Sequence, residues 1–185
     1  MFLSLQKQAA ATLASLKNQL EKQYFDIESR SDLNREQKLD RLIHTSAALC
    51  ATVAVQPIPF ADVFILTPLQ ALMGTRIAKV YGLALTEQEG KKILEQLAST
   101  VGMGLLAQQL GMGAAKLLFP LVGGIATAPV VYGLTYGIGH VMSRYFEAQS
   151  KGQRMSEAAL QALFQQAKAQ GQQASEAAAK SGRGA

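Results

Sequence analysis

The sequence predicts an all-α protein: helical hairpins in a bundle, an amphipathic N-terminal helix and a disordered C-terminal tail. Three observations carry that class. Apolar residues recur at spacings of three and four through much of the chain. Capping-box patterns stand at the breaks, Asn34 with Gln37 and Thr86 with Glu89. No strand pattern survives, because the β-branched residues of 121–131 are interrupted by Gly123, Gly124 and Pro129.

The first element, about residues 1–30, is an amphipathic helix. Leu13, Leu16, Leu20, Tyr24 and Ile27 share one stripe, with Lys17, Gln19, Lys22 and Gln23 between them. Residues 34–148 read as a helical-hairpin domain. Its first helix carries Leu39, Leu42, Ile43, Ser46, Cys50 and Val53, and ends before Gln56-Pro57-Ile58-Pro59, where two prolines remove amide donors. A second, nearly all-apolar helix is expected from Phe60–Asp62 to about Tyr81, stopped by Gly82, with Pro68 in its first turns or at a kink. The helix after Thr86 follows.

No charge lies between Glu95 and Lys116, and none between Lys116 and Arg144. A second hairpin is expected there, over about 98–146, turning at Pro120, Gly123 and Gly124. Each arm is about 20 residues, matching a ~30 Å hydrocarbon core at ~1.5 Å per residue. Gly133 and Gly137 give the return helix a small-residue face for close helix packing. Gln108, Gln109, Lys116 and His140 suit a buried hairpin in a soluble bundle equally, so both readings stand. Residues 149–170 hold a short helix capped by Ser156, with Leu160, Leu163 and Phe164. Residues 171–185 are rich in Ala, Gln, Lys and Gly and are expected to be disordered.

The chain has 185 residues, of which 49% are hydrophobic and only 17% charged, too few charges to coat a full water-facing surface. The net charge is +5, and residues 144–185 hold six Lys/Arg against three Asp/Glu. Cations beginning at Arg144, directly after an apolar run, favour the cytoplasmic face of an anionic membrane. No basic stripe interleaved with aromatics and no reading motif supports nucleic acid as a partner. The single cysteine, Cys50, forms no intrachain disulfide, and residues 1–14 lack the pattern of a secretory signal, so a cytoplasmic-side location is expected.

No catalytic, cofactor or metal site is predicted. Gly102-Met103-Gly104 and Gly111-Met112-Gly113 lack the third glycine of a dinucleotide fingerprint, having Ala107 and Lys116 there. Gly90-Lys91-Lys92 has Leu85 where a phosphate loop needs its first glycine, and no Ser or Thr after the lysine. His44, His140, Cys50 and Asp62 stand at no ligand spacing from one another. Asp62 is the only charge between Arg41 and Arg76, and its place just after Pro57 and Pro59 suits a helix start.

Pro57-Ile58-Pro59-Phe60-Ala61-Asp62, then Leu69-Gln70, Ile77-Ala78-Lys79-Val80-Tyr81-Gly82, Leu85-Thr86 and Arg144-Tyr145-Phe146 form a recognisable series. Over about residues 40–148 the chain resembles a bacterial family of unknown function associated with Era-like GTPases, domain of unknown function 697, also found in YcjF-type inner-membrane proteins. Pro57, Pro59, Asp62, Tyr81 and Gly82 carry the resemblance. It implies a helical, membrane-associated protein with no established catalytic residue, and a GTPase acting in trans, since this chain contains no GTPase domain. The expected function is therefore a non-enzymatic membrane-associated adaptor contacting lipid on the cytoplasmic face, a GTPase and copies of itself. The alternative is a soluble self-assembling helical scaffold.

Overall fold

The helix starts marked by polar caps begin where those caps place them. The computed structural model describes residues 2–56, 62–102 and 122–181. They form α1 (Phe2–Ser29), α2 (Arg35–Val55), a π-helical turn (Asp62–Leu66), α3 (Thr67–Val80), α4 (Glu87–Thr100), α5 (Val122–Ser150) and α6 (Glu157–Ser181). No strand occurs among the described residues, and the all-α class holds. At α2 the Asn34 side chain accepts from the Gln37 amide at 2.9 Å while the Gln37 side chain accepts from the Asn34 amide at 3.0 Å. Thr86 and Glu89 make the same reciprocal pair at α4, and Ser156 accepts from the Ala159 amide at 3.2 Å to start α6.

The stops are equally local. Gly82 at φ 79° follows α3, with the Leu83 amide donating to the Ala78 carbonyl and the Gly82 amide to Lys79, both at 3.0 Å. This double bond pattern satisfies two carbonyls that the helix end would leave bare, and it needs the left-handed conformation that glycine adopts freely.

Helix α5 is the centre. Helix α2 lies antiparallel to it: Ile43 meets Gly139, and His44 meets Tyr132 and Tyr136. Helix α3 runs parallel to α5, joined by Gln70 Nε2 donating to Thr135 Oγ1 at 3.0 Å and by the Tyr81 and Ser143 hydroxyls at 3.1 Å. Helix α6 returns antiparallel along α5, and α4 crosses α3 where Gly90 sits against Thr75 and the Ala71 carbonyl. One apolar core lies among α3, α4, α5 and α6 around Met73, Ile77, Leu97, Ile138 and Phe146. A second lies beneath α1 and α2 around Leu20, Tyr24, Leu42, Val53 and Ile65. Tyr24 is fully buried, bonds Ser46 Oγ at 2.6 Å, and has its pKa raised by burial.

Three features depart from the sequence expectation. The C-terminal segment is helical to Ser181 rather than disordered from residue 171, and α6 is a 25-residue helix, not a short one. Ala, Gln and Lys are strong helix formers, and Phe164, Ala167 and Gly171 are buried, so this helix has a tertiary face despite lacking large apolar residues beyond Phe164. The helix expected from Phe60–Asp62 to about Tyr81 runs from Asp62 to Val80, but its first five residues have π geometry. This π turn runs directly into α3, and Pro68, which has no amide to donate, falls in the first turn of α3, where the helix changes from π to α geometry. The return helix begins at Val122 and takes in Gly123 and Gly124, which were assigned to the turn, while Pro120 lies outside the described residues. Two consecutive glycines were read as a stop because each weakens a helix by about 1 kcal/mol, a cost that tertiary packing can override.

Candidate functional site

The polar chemistry of the bundle gathers where α2 faces α5. Asp40 and His44 are one turn apart on α2, and Tyr132, Tyr136 and His140 repeat every four residues on α5, so each set falls on one face. The antiparallel packing brings the two faces together. His44 Nε2 lies 3.5 Å from the Asp40 carboxylate, and His44 Nδ1 is hydrogen-bonded to the Tyr132 hydroxyl. In the neutral tautomer that carries its proton on Nε2, toward the carboxylate, Nδ1 accepts and Tyr132 donates. The Tyr136 ring sits between the two imidazoles, its centroid 4.9 Å from His44 and 4.4 Å from His140, and stacks on Tyr132 at 6.2 Å.

His140 closes this ladder. Its Nε2 is buried without a hydrogen-bond partner. Burial lowers its pKa, opposed by the Asp40 charge and reinforced by His44 and Arg144, so the neutral ring is favoured. Burial raises the pKa of both tyrosines, and the Asp40 charge adds to it. Beyond His140 a cleft opens, lined by Arg35, Asp40, Tyr81, Ser143, Arg144 and Glu147 among others. Tyr81 enters it beneath the Arg35 guanidinium, 5.6 Å from the ring centre, and Arg144 is paired with Glu147 at 2.7 Å.

The arrangement can hold or release a proton at His140, but it assembles no nucleophile. Among the described residues no serine or cysteine is hydrogen-bonded to a histidine, and no group of three His, Cys, Asp or Glu could hold a metal ion. Cys50 is fully buried, and burial pushes its thiol up to about 12, which makes it a packing residue.

The residues singled out from sequence fall in different places. His44 and His140 come together through Tyr136; Asp62 opens the π turn on another element, and its side chain lies outside the described set. Pro57 and Pro59 also lie outside it. Gly82 ends α3, and Tyr81 lines the cleft. Gly133 and Gly137 pack on α6: a Cβ at Gly133 would stand 2.7 Å from the Lys168 carbonyl, and one at Gly137 3.0 Å from the Phe164 ring. The helix that their small faces admit is thus this chain's own C-terminal helix. Tyr132, Tyr136 and Asp40 were missed, although the Tyr-x-x-x-Tyr-x-x-x-His spacing was a readable signal.

Fold and site together define an all-α bundle protein whose distinctive chemistry is a titratable helix–helix interface. The chain belongs to the family described as Domain of unknown function (DUF697), which it matches over residues 19–173. That range exceeds the 40–148 of the sequence resemblance and takes in Leu20, Tyr24, Leu160 and Phe164, which α1 and α6 supply to the cores. A relative named Magnetosome membrane protein 22, from Magnetospirillum gryphiswaldense, is 23% identical over 141 residues, covering 72% of this chain and 70% of that protein. No solved structure matches the chain.

Proposed function

We propose that this chain is a non-enzymatic, membrane-associated helical adaptor working at the cytoplasmic face of a bacterial inner membrane with a GTPase supplied in trans. The observation that carries the reading is the relative named a membrane protein, aligned over 72% of this chain. The charge-poor composition and the cations that follow Ser143 support it. For the described helices, association through a surface of the bundle fits better than a span; the first arm of the expected second hairpin, over 103–121, lies outside the described residues. No described helix is long and apolar enough to cross a membrane. In α5, no residue of 128–143 is exposed, so burial in the bundle already accounts for its lack of charge. The exposed side of α1, where Phe25 is 68% exposed, is a surface open to the GTPase.

Flotation with anionic liposomes at low salt tests the reading. The protein is expected in the lipid fraction, and a purified GTPase encoded beside it is expected to float only in its presence. Protein that stays at the bottom of the gradient, and that purifies without detergent as one discrete oligomer, would instead establish the self-assembling scaffold. The burial of α5 is the observation that favours this second reading.

A further inference from the structure

The charges of α2, α3 and α5 are sorted along the bundle axis, whereas α1 and α6 carry charges along their length, Glu176 among them. Helix α2 carries Arg35, Glu36, Lys38, Asp40 and Arg41 in its first two turns and none from Leu42 to Val55. In α3 the charges are Arg76 and Lys79, near its C-terminal end, and in α5 the first is Arg144. Because α2 runs antiparallel to both, the three charged stretches coincide at one end and the three uncharged ones at the other.

Burial explains the uncharged half of α5 and the inner side of α2. It does not explain the outer side of α2. Ala48, Thr52 and Val55 are exposed, and their spacing of four and three places them on one stripe. The exposed positions in the first turns of the same helix are Arg35, Glu36, Gln37, Asp40 and Arg41, four of the five charged. Water-facing positions are normally where a chain places its charges. At this end they are left apolar or neutral, and Val55 (38%) and Phe64 (37%), on neighbouring elements, are large apolar side chains open to the surroundings. Asp62 is the one charge on the π turn.

We infer that this uncharged end, the second half of α2 with Phe64 of the π turn, is the surface that meets the bilayer, with the charged end and its Tyr81–His140 cleft turned to water. The inference rests on the membrane-associated reading and specifies its geometry. The outer helices fit it. Helix α1 pairs Tyr24 with Ser46 and Asp26 with the neighbourhood of Arg41, so its N-terminal end, bearing exposed Lys7, points to the uncharged end. Helix α6 pairs Gly171 with Tyr136, so exposed Lys180 reaches the same end. Both lysines can lay an aliphatic stem on apolar surface and place the ammonium among anionic headgroups.

The chain contains no tryptophan, so single substitutions give unambiguous reporters. Phe64→Trp marks the uncharged end. Phe25→Trp marks the charged end, beside Asp26. With vesicles of phosphatidylglycerol and acyl-brominated phosphatidylcholine, Phe64→Trp is expected to shift to the blue and be quenched several-fold more than Phe25→Trp. Phe64→Glu is expected to lower the bound fraction about tenfold and Phe25→Glu to leave it unchanged, with circular dichroism verifying helix content. Floating protein whose Phe64→Trp is not quenched overturns the inference and leaves the membrane reading standing; failure of the parent protein to float removes both. A blue shift of Phe64→Trp that grows with protein concentration in the absence of lipid assigns this end to a second copy and overturns it as well.

Discussion

The two faces of α5 are built on opposite principles. Toward α6 the helix removes side chains: Gly133 and Gly137 let the Lys168 carbonyl and the Phe164 ring approach, and Gly171 does the same for the Tyr136 ring from the other side. Toward α2 it also makes one close approach, Ile43 on Gly139, but mainly adds side chains: Tyr132, Tyr136 and His140 interleave with Asp40 and His44. The first contact is steric and does not depend on any proton. The second contains a buried imidazole nitrogen with no partner, so its stability depends on protonation. One helix thus has a face sensitive to shape and a face sensitive to pH.

The largest expected effect breaks the steric face. Gly133→Leu places atoms where the Lys168 carbonyl and the Gln172 backbone nitrogen already stand within 2.7 and 3.1 Å of a bare Cβ. Backbone cannot rotate away as a side-chain tip can, so α6 must separate from α5. A loss of about 3 kcal/mol is expected in chemical denaturation. Limited proteolysis of the variant should cut first within Glu157–Ser181, the segment that loses its support. A variant with wild-type stability and a protected α6 would refute the packing.

This face was half legible in the sequence. Gly133 and Gly137 announce a close helix contact, but nothing in the sequence marks the short helix over 149–170 as its partner or shows that it continues past residue 171, because 171–185 lacks large apolar residues. A glycine interface needs none: Gly171 is useful to Tyr136 for the side chain it does not have, and hydrophobic counting is blind to that. The capping boxes and Gly82 were legible because each is a local hydrogen-bond pattern within a few residues. The ladder was not, since its halves are about 90 positions apart and only the antiparallel register of α2 on α5 joins them. The same register created the uncharged end, which no linear scan of charge could separate from a membrane-spanning run.

The pH-sensitive face is tested next. Burial holds the folded-state pKa of His140 below its ordinary value, so between the two the unfolded chain binds the extra proton. Stability is therefore full above about pH 6.5, falls as pH drops toward the folded pKa, and levels off below it. The slope for one such group is at most about 1.4 kcal/mol per pH unit. His140→Phe keeps the ring beside Tyr136 and removes both the proton and the orphan nitrogen. Denaturation midpoints of this variant should match or exceed the parent at neutral pH and lose the slope on acidification. Gly133→Leu, in contrast, should keep the slope while lowering the whole curve. A parent protein with no slope in this window would mean that His140 is solvated.

The smallest effect separates hydrogen bonding from stacking within the ladder. Tyr132→Phe keeps the ring stacked on Tyr136 but removes the hydroxyl that donates to His44 Nδ1. The expected loss is about 1 kcal/mol, because His44 is half-exposed and water can take the vacated acceptor. The proton bookkeeping of His140 should be untouched, since Tyr132 does not act on it, and the acid slope of the double variant Tyr132→Phe/His140→Phe should equal that of His140→Phe alone. A changed slope in Tyr132→Phe by itself would show that the Tyr132 hydroxyl acts on His140 through the Tyr136 ring, and the ladder would then be one coupled network instead of a stack with one proton-sensitive end.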